Sequence, residues 1–272
     1  SGGNFNVVIG DEAGTAITTG DRNTLVGYQA GDAITTGSKN TALGRHALTS
    51  LIDADENTAI GDGSLAADTK GTKSTAIGRD TLGTQNFATS TDTHNTAVGH
   101  SAGVSVTTGI ENTLLGGLAG DALTDADSNI AVGYASLTTD TRGSHSVAVG
   151  RLTLSEQNFT TATDSYNTAV GSSAGQKVST GTLNTLIGGS AGIALTTGSE
   201  NVVVGYEALK NEDGHGKNTA IGTQTLFAQN AGANALNTAV GYQAGAATTT
   251  GVQNTLIGSL AGDAITTGQN NV

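Results

Sequence analysis

At 272 residues the chain is long enough for one or two domains, and the absence of Cys excludes disulfides and thiolate metal sites. A formal charge of −12, with 11 Lys and Arg scattered among 23 acids, argues against nucleic acid as a partner. No apolar run is long enough to span a bilayer as a helix, so no membrane insertion is expected.

Taken in order, the chain repeats one five-residue phrase. It begins at Asn6, Asn23, Asn40, Asn57, Ser74, Asn95, Asn112, Asn129, Ser146, Asn167, Asn184, Asn201, Asn218, Asn237 and Asn254, and starts again at Asn271. The step is 17 residues, except for 21 after Ser74, 21 after Ser146 and 19 after Asn218. A fixed short period means one unit stacked on copies of itself. The repeat therefore predicts a single all-β domain over residues 1–272, a parallel β-solenoid (β-roll) of about 15 coils. At ~4.8 Å per coil such a rod would be ~70 Å long. Ser1-Gly2-Gly3 is compatible with a remnant of expression, and no signal peptide is visible.

Numbering each coil from its Asn, position 4 is aliphatic and position 5 is Gly in every copy, from Ile9-Gly10 to Ile257-Gly258. This reads as a strand over positions 2 to 4 ending in a turn. A second strand is expected at positions 8 to 13, as in Ala30 to Thr35, closed by a turn at Gly37. Position 1 stacks into a ladder of Asn amides at 14 of 16 starts, interrupted by Ser74 and Ser146. Position 9 adds a slower rhythm: Gly14 and Gly31, then Leu48, Leu65 and Leu82, then Gly103 and Gly120, then Leu137 and Leu154. Each lengthened coil closes a Leu group, giving a four-coil super-repeat. Positions 4, 9 and 12 are the apolar groups available for a core. That supply is thin, so a partner surface is expected, and three identical rods side by side would provide it.

Ser146 to Gly150, with Asn-Thr-Ala-Ile-Gly at Asn57 and Asn218, resembles the repeated phrase of trimeric autotransporter adhesin heads. The fuller form from Asn237 through Gly245, with Thr249-Thr250-Gly251 and Asn254 to Gly258 after it, is similar to arrays in phage tail fibres. The resemblance implies a left-handed, side-by-side homotrimer located in a virion or at a cell surface. The chain departs from the adhesin heads in its longer coils and four-coil rhythm, and no neck, stalk, anchor or chaperone segment is recognisable.

Catalysis by a converging Ser, His and acid is not expected, because the five His do not recur down the stack. No cofactor is implied. Asp53, Asp55 and Glu56, and Asp121, Asp125 and Asp127, put carboxylates at turns where calcium is conceivable. Solvated turn acids explain them better, so no metal is assigned. Thr-Thr-Gly tracts, at Thr18 and Thr35 for example, invite an ice-binding reading that charges and gaps weaken. Position 6 carries Tyr28, Tyr134, Tyr206 and Tyr242, candidates for stacking on a sugar or burying at a protein contact. The extra residues of the lengthened coils bring Gln85, Asn86 and Phe87, then Gln157, Asn158 and Phe159, then Phe227, Gln229 and Asn230. Insertions mark where a chain can leave its stack, so these are the receptor-contact candidates, with the Phe rings expected to tuck inward as plugs between chains. The expected function is a non-enzymatic fibre or adhesin shaft that presents loops to a host glycan or protein. The alternative is a monomeric solenoid that binds ice or carbohydrate.

Overall fold

The computed structural model describes residues 4–272, so the reading of Ser1-Gly2-Gly3 lies outside the described residues. Every coil contributes one three-residue strand at positions 2 to 4, from Val7–Ile9 to Thr255–Ile257, and no helix occurs among the described residues. Within each unit the strands pair in parallel, each with its copy in the next coil. Thr24, Leu25 and Val26 face Thr41, Ala42 and Leu43, and farther along Thr168, Ala169 and Val170 face Thr185, Leu186 and Ile187. The 15 strands belong to an all-β parallel solenoid. The coils fall into two compact units, one ending at Ala131 and one running from Val132 to Val272.

The Asn ladder is present, with a division of labour within each amide. Asn40 Oδ1 accepts the N–H of Asn57 in the next coil at 3.0 Å, while its Nδ2 donates to the Ala54 carbonyl of its own coil at 2.8 Å. In the second unit Asn184 does the same for the Asn201 N–H and the Gly198 carbonyl. These side chains are buried, and each satisfies one donor and one acceptor that the short strands leave over.

Two expectations are corrected. Alternation puts positions 2 and 4 on one face, but that face points outward: position 3 enters the core and position 4 does not. Leu25, Ala42, Leu114 and Leu186 are fully buried, whereas Leu43 is 47% and Ile187 39% exposed. A two-residue alternation fixes which side chains share a face and not which face is inside. The second strand is also absent. Gln29 and Gly31 both take left-handed φ, 54° and 56°, so positions 7 to 12 run as consecutive turns. These close with Ala30 N–H to the Gly27 carbonyl and Ile34 N–H to the Gly31 carbonyl. Short parallel pairs form instead beside two lengthened coils, Gly71–Thr72 with Thr91–Asp92 and Gly143–Ser144 with Thr163–Asp164.

The four-coil rhythm follows from volume. Leu at position 9 fills the interior of coils whose position 3 is Ala, as with Leu82 and Ala76, or in one coil Val, as with Leu209 and Val203. Where position 9 is Gly in two successive coils, one Leu at position 3 fills the space over both: a Cβ on Gly103 or Gly120 would lie 2.7 or 2.8 Å from Leu114. Leu186 stands in the same relation to Gly175 and Gly192, and Leu256 to Gly245 and Gly262.

Candidate functional site

The most extensive surface feature is the outer face of the sheet. Position 2 is Thr, Val or Ile and position 4 is Val, Ile or Leu in every coil, and none of the 11 basic or 23 acidic residues falls in either row. Because each strand sits in register on the next, the two rows stay aligned from coil to coil within each unit, with Thr hydroxyls and aliphatic methyls repeating at ~4.8 Å. Val202, Ile187 and Ile221 are among its exposed apolar side chains. Uncharged rows of this regularity, half open to water, form the kind of contiguous apolar surface that marks a contact site.

The lengthened coils place the predicted receptor residues in two different environments. Gln85 and Gln157 are fully buried, where they substitute for the missing ladder Asn of their coils. Gln85 Nε2 donates to Ser74 Oγ at 2.8 Å and to the Asp68 carboxylate, and its Oε1 accepts from Asn95 Nδ2 at 2.9 Å. Gln157 repeats this with Ser146, Asp140 and Asn167. Burial pushes the Asp68 carboxyl up from its ordinary range, against the opposing pull of Gln85 and the Gly71, Lys70 and Phe87 N–H groups. Gln229 is buried as well, bonded to Asn218 and Asn237. All three Gln side chains are therefore internal, out of a receptor's reach.

Phe87 and Phe159 are also buried, each packed into its own chain without help from another. Phe227 is not their equivalent. It lies at position 10 rather than 14, half-buried under the Lys210 ammonium at 5.3 Å, and Ala231 occupies the buried site that Phe takes in the other two coils. Asn86, Asn158 and Asn230 remain exposed beside the loop tips at 88–90, 160–162 and 232–234.

Tyr28, Tyr134, Tyr206 and Tyr242 are exposed, as position 6 predicts. Tyr28 tilts against His46 at 5.5 Å, and its hydroxyl is pushed up first by the neighbouring Glu12 carboxylate. The four rings are separated along the chain by one or more coils without an aromatic at this position, so they form no continuous platform.

The turn acids have partners within the stack: Asp55 accepts the Ser38 N–H at 2.6 Å, Glu56 pairs with Lys39 at 2.7 Å, and Asp127 accepts the Ile110 N–H at 2.8 Å. The first hydroxyl of the Thr-Thr-Gly tracts is likewise committed, Thr35 to the Ile52 carbonyl and Thr107 to the Thr124 carbonyl, both at 3.1 Å. The sequence reading passed over Glu212, Asp213 and His215, which come together after Asn201. The available signal was His215 itself, at a position that is Gly or Ala in every other 17-residue coil. Among the described residues no helix is long and apolar enough to cross a membrane. Comparison with protein-family models, with curated proteins and with solved structures finds no match for this chain.

Proposed function

We propose that the chain is a non-enzymatic shaft, assembled as a homotrimer through the outer sheet face, that carries loops and tyrosines outward on a fibre or adhesin. The observation that carries this reading is the pair of charge-free, outward-facing rows at positions 2 and 4, in a chain whose charges all lie outside the strands that form them. Covering the exposed part of each position-4 side chain contributes about 1 kcal/mol. One coil cannot offset an association cost of roughly 4–15 kcal/mol, whereas the several successive coils of one unit reach that range. Acids outside the rows keep the assembly soluble, since three copies of a chain with charge −12 repel their neighbours in solution.

The number three, a left-handed sense and a place on a virion or cell surface come from the resemblance to adhesin heads and tail fibres. Asn86, Asn158, Asn230 and the four tyrosines are the residues such a shaft offers to a host glycan or protein. Light scattering tests the assembly: a species of about 80 kDa is expected from a 26.7 kDa chain. A 26.7 kDa species at micromolar concentration would overturn it.

A second reading rests on the same face. In-register rows of Thr hydroxyls and aliphatic methyls at strand spacing also suit a monomer that orders water as ice. A monomeric mass combined with thermal hysteresis would favour it, and a monomer that binds glycans would favour a carbohydrate module.

A further inference from the structure

We propose that Glu212, Asp213 and His215 form a binding site for a divalent transition-metal ion of the zinc class. One ligand atom from each residue lies within 4.8 Å of the other two. His215 Nδ1 is 3.3 Å from Glu212 Oε1, close to the separation of two ligand atoms on one tetrahedral zinc at about 2.0–2.2 Å from each. Asp213 is exposed, and its carboxylate is held only by a 3.4 Å contact from Asn230 Nδ2, so it is free to turn toward the other two. One imidazole and two carboxylates leave a further position open for water.

The two other places where a 17-residue coil meets a lengthened one serve as internal controls. Asp68 and Asp140 occupy the position of Glu212, and there the carboxylate accepts an amide hydrogen from Gln85 or Gln157. At the third copy Gln229 turns its Nε2 to Asn218 instead. The buried Glu212 is left with longer contacts, 3.2 Å from the Ala231 N–H and 3.3 Å from both the His215 N–H and the His215 ring Nδ1. Room for the imidazole has a local cause. At the corresponding positions a Cβ on Gly20 or Gly198 would lie 2.3 or 2.4 Å from the carbonyl of the next coil. After Asn230 the chain swings out through 232–234, and no return strand pairs beside His215 as Thr91–Asp92 does beside Gly71–Thr72. At the two matching positions a Cβ on Gly71 or Gly143 would run into the Asp68 or Asp140 carboxylate, whereas here the imidazole fits beside a carboxylate that has lost its amide donor.

Burial pushes the Glu212 carboxyl up from its ordinary range, against the opposing pull of the Ala231 N–H and His215. The test is calorimetric titration of the full chain with zinc chloride at pH 7.5, read alongside the thermal midpoint. One ion per chain is expected, with a rise in the midpoint. His215→Ala, a change at a partly exposed side chain, should weaken binding tenfold or more and remove that rise while the far-ultraviolet circular dichroism stays unchanged. Glu212→Asp, which restores the residue of the other two coils, should also weaken it, and His145→Ala should not. Zinc binding that is absent, that survives His215→Ala, or that is matched by calcium at equal concentration would overturn the site.

Discussion

At the scale of single residues, the ladder Asn is where one side chain settles most. Removing the Asn184 amide strands a buried N–H at Asn201 and a buried carbonyl at Gly198, since both bonds belong to that side chain. Leaving a buried polar group unpaired costs about 1–3 kcal/mol, so Asn184→Ala should lower stability by roughly 2–5 kcal/mol in a urea titration. Thr185→Ala, on the outer face, should change the monomer's stability by far less. Position 5 is equally strict for a steric reason: Gly188 has φ +133°, and a Cβ there would lie 2.5 Å from the Gly205 carbonyl oxygen. Charge acts at this scale as well. The Lys210 ammonium, then the Gln224 amide, hold the Glu207 carboxyl below its ordinary value of 4.5. A carboxyl lowered on folding stabilises the fold above its unfolded value, and that contribution disappears as pH falls through the folded one. The midpoint difference between wild type and Glu207→Gln should therefore be present at pH 7 and close below 4.5, as thermal melts across pH would show.

At the scale of the coil, residues must be considered in sets, because each interior position is filled by contributions from neighbouring coils. Gly103 has no spare volume: a Cβ would lie 2.7 Å from Leu114 Cδ1 and 2.9 Å from Leu82 Cδ2. Gly103→Ala should cost about 1–3 kcal/mol by overpacking and Leu114→Ala about 2–5 kcal/mol by leaving a cavity. The double variant should lose less than the sum, by 0.5 kcal/mol or more, because the new methyl enters the space Leu114 vacates. Strict additivity in that cycle would show that the two positions do not share one space. The 17-residue step made the coil count, the strand at positions 2 to 4 and the Asn ladder legible from sequence, since a register of identical residues has few ways to stack. It pointed to the wrong inward face, position 4 instead of position 3, because aliphatic residues occur at both. It suggested a second strand from Thr content where left-handed φ at positions 7 and 9 makes turns. The lengthened coils were visible as insertions, but a Gln beside a surface Asn gives no sign that it stands in for a buried ladder amide. Leu at position 9 also adopts a left-handed φ, 48° at Leu82, which a reader of propensities would reserve for Gly.

At the scale of the whole molecule, the question is what covers the outer face. Within each unit its rows keep one register, so a partner that fits one coil fits the next, and an identical chain has the same repeat along its length. A charge placed in the middle of such a contact must be buried without a partner, which costs several kcal/mol per copy, and symmetry repeats the cost in every subunit. Ile187→Asp should therefore convert the assembly to a 26.7 kDa species in light scattering, and its circular dichroism should remain that of a β-solenoid because Ile187 is 39% exposed in the single chain. Val98→Asp should do the same from the other unit. Tyr206→Ala and Asn158→Ala, both outside positions 2 and 4, should leave the mass of the proposed assembly unchanged. If Ile187→Asp kept the wild-type mass while Tyr206→Ala lost it, the contact would run along position 6 instead, and the sheet face would be free to meet water or ice.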